Sequence, residues 1–370
     1  MTAPLRPPLT VLHIDTERGW RGGQRQVLWL AEQLARRGHR SLVAARPGEP
    51  LAVRAVERGL ELVPSTPFAE VDPVAPVALR RVIRRERVDV VHAHTGHAVA
   101  LAALASLRSG ASMVLTRRVV FPLRRNLATR WKYGRADAVI AISRAVAAAL
   151  VAGGMDPARI TVVPSGVDLT RPTDSAPRDV VRALGVPDGA PLVVMVAMLA
   201  ASKDPVTFVR SVAVAHQRVP SMHAVMVGEG PLRGEVERIA GELGLAGTLH
   251  LAGFREDADR FLAAADVAAL SSKEEGLGTV LVDALALGTP VAATAAGGIP
   301  EVIEDDVSGL LCPPGDAVAL GVNIARLLAE PALAARLSAG ARARGRDFSI
   351  ERTAALTEAV YARVLGRSAP

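Results

Sequence analysis

Short apolar runs alternate with helix-length stretches along nearly the whole chain, and this alternation limits the possible folds more than any other feature. Leu9 to Ile14, Ser41 to Ala44, Val88 to His92, Ser112 to Thr116 and Ala138 to Ile142 are the strand-like runs of the first half. Gly23 to Arg37, Pro76 to Arg87, His97 to Leu107 and Arg144 to Ala152 lie between them and carry helical spacing. Strands separated by helices of about ten residues cannot pair as hairpins, so they predict an α/β fold with a parallel, doubly wound sheet. The pattern restarts at Leu192 to Ala197 and continues through Ala224 to Val227, Thr248 to Leu251, Val267 to Leu270 and Pro290 to Ala293. With 370 residues, this predicts two Rossmann-like domains, 1–165 and 166–349. Pro164 to Pro191, rich in Pro, Gly and Asp, reads as the linker, and Ile350 to Leu365 as an amphipathic helix.

The most informative motif block follows the run Asp266 to Leu270. Ser271, Ser272 and Lys273 leave the strand, Glu275-Gly276-Leu277-Gly278 forms a glycine-rich turn, and Thr279 to Leu287 reads as a helix. Glu275 and Asp283 on one helix would lie about 80° out of register, so Glu275 is placed in the loop and Asp283 on the second turn. A carboxylate beside helix N-terminal amides can bind hydroxyls while the amides hold phosphate, which suits a nucleotide-sugar. Gly288-Thr289-Pro290-Val291 and Gly297-Gly298-Ile299-Pro300-Glu301 complete the block.

Other candidates are weaker alone. Gly22 and Gly23 open the first helix after a strand, where glycine lets an anion approach aligned N–H donors; the spacing is not that of a dinucleotide fingerprint. Gly228-Glu229-Gly230-Pro231 is a near match to that fingerprint with its third glycine late. Lys203, one of only three lysines, stands in the loop after the first strand of the second half and suits a diphosphate as a point charge. His92 and His94 are expected on opposite sides of a strand, which argues against a zinc site, and with a single cysteine no metal cluster is expected. Asp257 and Asp259 look like a metal-binding Asp-x-Asp but open a helical pattern, where acids favour the dipole.

Taken together, Glu275-Gly-x-Gly with a second acid, Gly-Thr-Pro-Val and Gly-Gly-x-x-Glu make the chain resemble the family-4 retaining glycosyltransferases (glycosyl transferase group 1). The resemblance implies the GT-B architecture, two facing Rossmann-like domains with a cleft, and a C-terminal segment, 350–370, packing back on the first domain. It implies a metal-independent enzyme without a cofactor that moves a sugar from a UDP-, GDP- or ADP-linked donor to an acceptor hydroxyl by front-face attack. Glu275 would then bind donor-sugar hydroxyls and Asp283 the ribose. Lys203, Gly22, Gly23 and the amides of Gly278 and Thr279 would hold the diphosphate. Gly228 and Glu229 would form a loop near the nucleotide, Gly253 and Phe254 would flank the base, and His94 would lie near sugar and acceptor. Two departures stand out: Met198 replaces the family's arginine five residues before Lys203, and Asp283 replaces a glutamate. Arg21, Arg117 and Arg118 are candidates to supply the missing cation. A non-catalytic sugar-nucleotide-binding protein and a nucleotide-sugar epimerase on the same fold are the alternatives.

Charge and composition bear on partners. Residues 1–165 carry 25 Arg and Lys against 12 Asp and Glu, a net of +13, whereas 166–370 carry 19 against 25, a net of −6. The first half therefore suits an anionic membrane surface or a phosphorylated acceptor, in keeping with a glycan or lipid-linked acceptor in envelope glycan synthesis. Nucleic acid is not expected, because aromatic residues are 3% of the chain and few stacking platforms exist. A lone Cys312 excludes a disulfide framework. Without a recognisable signal sequence or a membrane-length apolar run, the expected location is cytoplasmic, peripheral on the inner face of the membrane.

Overall fold

The computed structural model describes residues 5–67, 72, 74–124, 126–169 and 178–367. The chain divides into two compact units, 1–168 with 349–370, and 169–348. The first division thus falls after Asp168 rather than after residue 165, and the expected linker contains a short helix within the second unit. Part of that linker, 170–177, and Arg125 of the basic cluster lie outside the described residues.

In the first unit, β1 (Thr10–Ile14), α1 (Gly22–Arg36), β2 (Arg40–Ala45), α2 (Pro50–Glu57) and β3 (Glu61–Pro64) form the opening run. It continues through α3 (Val74–Arg85), β4 (Val90–Ala93), α4 (Gly96–Ala105), β5 (Ser112–Arg117) and α5 (Leu127–Gly134). The last elements are β6 (Ala138–Ala141), α6 (Arg144–Ala152) and β7 (Ile160–Val162). All pairings are parallel, in the order β3-β2-β1-β4-β5-β6-β7. The central strands are buried on both faces, as all-parallel sheets require.

The second unit repeats the plan. It begins with α7 (Asp179–Arg182), β8 (Leu192–Val196), α8 (Pro205–Arg218), β9 (His223–Val227), α9 (Arg233–Glu242) and β10 (Leu249–Gly253). Next come α10 (Ala258–Ala264), β11 (Val267–Leu270), α11 (Thr279–Leu287), β12 (Val291–Thr294), α12 (Ile299–Val302) and β13 (Leu310–Cys312). Helices α13 (Ala317–Ala329) and α14 (Pro331–Gly345) close the unit, and α15 (Ile350–Val364) returns to the first. Strand order is β10-β9-β8-β11-β12-β13, again all parallel. In each sheet the order reverses once, between β1 and β4 and between β8 and β11. Such switch points open a crevice at the carboxyl ends of the strands, where ligands bind.

Helix α15 is fastened to the first unit by core packing and by a buried charge. Tyr361, Val360 and Ala354 join Leu9, Val11, Leu30, Leu34, Val90 and Val114 in one apolar cluster. Glu358 accepts from the Leu5 N–H and from Arg37, and meets His39 Nε2 at 3.0 Å. His39 Nδ1 accepts from the Leu9 N–H at 3.0 Å, which leaves Nε2 as the nitrogen that donates to Glu358. Burial pushes the Glu358 carboxyl up, but the Leu5, Arg37 and His39 hydrogen bonds outweigh it and hold the pKa below its ordinary value. Among the described residues, no single helix is long and apolar enough to cross a membrane.

Candidate active site

The second unit's switch point gathers the loops after β8 and β11. Lys203 ends the first loop and Glu275 sits in the second, and the Lys203 ammonium is paired with the Glu275 Oε2 atom. Ser272 Oγ donates to the same oxygen at 3.2 Å. The pair is anchored from behind. Ser271 Oγ lies 2.9 Å from the Lys203 carbonyl and 2.8 Å from that of Asp204. The N–H groups of Lys273 and Glu274 both donate to the Ser202 carbonyl. Asp204, in the left-handed region at φ 45°, caps α8 through Thr207 and pairs with Lys273 at 2.9 Å. Thr294 Oγ1, at the end of β12, donates to the Ser272 carbonyl at 2.6 Å.

The glycines of this block have steric causes. A Cβ on Gly297 would stand 2.1 Å from the Glu275 carbonyl oxygen, and one on Gly298 2.3 Å from that of Gly276. The loop after β12 therefore lies backbone on backbone against the Glu275 turn, with Gly298 N–H donating to Glu275 O at 3.0 Å. Gly278, at φ 84°, caps α11, whose first amides at Thr279 face the N-terminal end of the helix dipole. A carboxylate, an ammonium and a helix N-terminus are thus assembled at one crevice, groups with the chemistry to bind hydroxyls and phosphate.

Beside them, the loops after β8, β9 and β10 are laced together. Leu199 N–H donates to Glu229 O at 3.0 Å, and Gly228 N–H to Gly253 O at 2.7 Å. A Cβ on Gly228 would meet the Ala197 carbonyl oxygen at 1.9 Å, so this glycine is required for the approach of two loops. Phe254 is exposed on the same edge, and Met198 is 46% exposed. Asp283 lies on the second turn of α11, where it is only 2% exposed. Asp257 is held bidentately by Arg255 at 2.9 Å to each oxygen, which keeps its pKa below the usual range, and it precedes α10 as expected of a helix-start acid. Because Met198 is exposed, Met198→Arg has room for its guanidinium. Donor binding, measured by calorimetry, is expected to tighten by about 1–3 kcal/mol through a restored charge-assisted contact.

The first unit collects the remaining candidates at the carboxyl ends of β1, β4 and β5. Arg21 precedes α1, and its N–H donates to the Gln24 side chain at 3.1 Å; Gly22 and Gly23 form the first turn. Arg118 lies beside Gly23 and donates to Ser165 Oγ at 3.0 Å. Burial lowers its pKa to about 10, with Asp15 opposing the shift. Asp15, which follows β1 directly, was not anticipated from the sequence. Burial pushes it up to about 6 against hydrogen bonds from Glu17 and Gln24 and the charge of Arg118. Arg117 instead braces its own loop, donating to Tyr133 Oη at 3.1 Å and to Phe121 O at 2.7 Å.

The histidine expectation requires correction. Residues two apart on a strand share a face, so His92 and His94 lie together, with ring centroids 4.0 Å apart, and His13 from β1 joins them. His94 is buried rather than presented: its Nε2 lies 3.1 Å from His13 Nδ1. The three imidazoles bring ligand atoms within 4.8 Å of one another, a spacing compatible with a metal. His92, however, uses both nitrogens, Nδ1 on Tyr361 Oη at 2.6 Å and Nε2 on Thr116 Oγ1 at 2.7 Å. A metal would have to break those bonds, so the trio fits a packed, neutral cluster better. Burial lowers the His13 pKa to about 3 and drives those of His92 and His94 well below the ordinary value.

Comparison with known proteins bears on the family and the fold. Residues 178–344 match the family Glycosyl transferases group 1, and residues 20–171 match Glycosyltransferase Family 4. A D-inositol 3-phosphate glycosyltransferase of Xylanimonas cellulosilytica is 34% identical over 296 residues, spanning 76% of this chain and 68% of that protein. The 2-deoxystreptamine glucosyltransferase of Streptomyces kanamyceticus is 32% identical over 246 residues, 64% of this chain and 63% of its own. Among solved structures, a glycosyltransferase from Rickettsia africae superposes with a TM-score of 0.84 at 20% identity, covering 98% of this chain and all of that one. Anabaena HepE in complex with UDP gives 0.81 at 22% identity, covering 94% and 98%. The fold is GT-B. This chain belongs to the group 1, family 4 glycosyltransferases, and it is a glycosyltransferase enzyme.

Proposed function

We propose that the protein transfers a sugar from a nucleoside-diphosphate donor to an acceptor hydroxyl with retention of configuration and without a metal. The Lys203–Glu275 pair at the β8/β11 switch point carries this reading. The pair is self-satisfied in the structure, so a bound donor exchanges its partners: the ammonium turns to the diphosphate, and the carboxylate accepts from sugar hydroxyls. The bond from the anomeric carbon to phosphate oxygen breaks, and its electron pair leaves with the diphosphate. Lys203 and the α11 amides stabilise that growing charge. The acceptor oxygen bonds to the same face of the anomeric carbon, and its proton passes to the leaving phosphate. Asp283, buried on the second turn of α11, is assigned to the ribose hydroxyls.

Similar folds support the donor class: HepE has been solved with UDP and with UDP-glucose. The acceptor is a glycan or lipid-linked hydroxyl met by the basic first unit, and the enzyme acts at the cytoplasmic face of the membrane. A thermal-shift screen of UDP-, GDP- and ADP-sugars tests the reading, with stabilisation by at least one donor expected and indifference to all of them counting against it. Because Asp257 is held by Arg255 and His92 is fully hydrogen-bonded, activity is expected to survive excess EDTA. Loss on chelation with recovery on adding Mg²⁺, Mn²⁺ or Zn²⁺ would overturn the metal-free mechanism.

A further inference from the structure

One stretch of the first unit combines apolar exposure with a run of basic residues uninterrupted by acids. From Val90 to Ala136 the chain holds eight Arg and Lys and not one Asp or Glu. Within that stretch Val119, Phe121, Leu127 and Trp131 are all exposed, Leu127 at 83% and Trp131 at 46%. Leu127 and Trp131 are one turn apart on α5 and so share a face of the helix. Only Tyr133 of α5 is buried. The loop ahead of the helix is braced, because Arg117 holds both the Tyr133 hydroxyl and the Phe121 carbonyl. Asn126 caps the helix by accepting from the Thr129 N–H at 2.8 Å. The apolar side chains therefore stand out from an ordered scaffold, flanked by the exposed Arg124, Arg130 and Arg135.

A soluble protein ordinarily hides a leucine and a tryptophan that lie on one helix face. A protein partner's apolar core would cover them but would leave this density of cations without counter-charge. A bilayer with anionic headgroups meets both needs: phosphates for the arginines, and an interfacial layer for tryptophan, leucine and phenylalanine. We propose that residues 118–124 and α5 dock the first unit on an anionic lipid surface, with Phe121, Leu127 and Trp131 entering the headgroup layer. The loop leaves β5 at the same sheet end that carries Asp15, His94 and Arg118, so docking brings the acceptor-side residues to the membrane. The lipid-linked acceptor is part of the functional reading above; the docking itself rests on this surface alone.

The test is co-sedimentation of the full chain with phosphatidylcholine vesicles, with and without phosphatidylglycerol, across a salt series. Partitioning at low salt is expected to be at least about 10-fold stronger on the anionic vesicles, and Arg124→Glu with Arg130→Glu is expected to remove at least that factor. Binding should weaken as salt shortens the screening length from about 10 Å, yet keep an apolar component. Leu127→Ser with Trp131→Ser should abolish that salt-resistant component. Brominated lipids should quench part of the wild-type fluorescence and quench Trp131→Phe less. Equal partitioning on both vesicle types, or variants that bind like the wild type, would overturn the proposal. So would a concentration-dependent dimer that Leu127→Ser dissolves, which would assign the patch to a second copy. Donor binding by the same samples, measured without vesicles, separates failure of docking from failure of the functional reading.

Discussion

Glu358→Ala is expected to destabilise the first unit by about 3–5 kcal/mol, the usual cost of breaking a buried ion pair from one side. The carboxylate joins three parts of the unit: the N–H of Leu5 ahead of β1, Arg37 after α1, and His39 before β2. Removing it takes one acceptor from the Arg37 guanidinium, the Leu5 amide and His39 together. Glu358→Gln keeps the volume and one acceptor, so it should cost less, about 1–3 kcal/mol. Because the chain has two units, a single melting temperature would mix two transitions. Hydrogen exchange resolves them: β1, β2 and α15 should lose protection, and the β8–β13 sheet should keep it. A change below about 1 kcal/mol, or loss spread evenly over both units, would show that apolar packing of Tyr361 and Val360 alone holds the helix.

The second large effect falls on chemistry. Glu275→Ala is expected to lower kcat at least about 10²-fold with the fold intact, if its contact with the sugar strengthens in the transition state. Lys203→Ala should lower kcat and also weaken diphosphate binding, because it removes the point charge from both ground and transition states. The two residues are partners, so their losses should not add; the double variant should fall little below the worse single one. Fully additive losses would mean that the pair does not act as a unit. Near-normal turnover by Glu275→Ala would remove the central residue from the mechanism.

How much could be read beforehand follows from where each residue sits. Central strands such as β8 and β11 are continuous apolar runs because both faces are buried, and that signal is local. The edge strands β3, β7 and β13 were missed: they are three or four residues long, have one neighbour each, and β3 carries Glu61 and Pro64. The glycine block was legible because close backbone approach leaves no alternative to glycine at Gly297 and Gly298. The brace behind it was not. Ser271, Thr294 and the Asp204–Lys273 pair meet only through tertiary contact, and nothing local marks a serine as a support. Asp15 does carry a signal, an acid directly after a buried strand at a switch point, but Gly22 and Gly23 nearby are the more conspicuous feature. The histidines depart from the expectation because strand faces alternate at one residue, so a spacing of two brings side chains together.

The most direct test of the central claim, retaining transfer through the Lys203–Glu275 site, is the anomeric configuration of the product. Purified protein would be incubated with an α-linked nucleoside-diphosphate sugar that binds in the thermal-shift screen and with an acceptor panel. Proton NMR would then read the new linkage, with Glu275→Ala alongside as the control. The account predicts an α-linked product and released nucleoside diphosphate, both reduced at least about 10²-fold in the variant. A β-linked product, or equal release by wild type and variant, would contradict it.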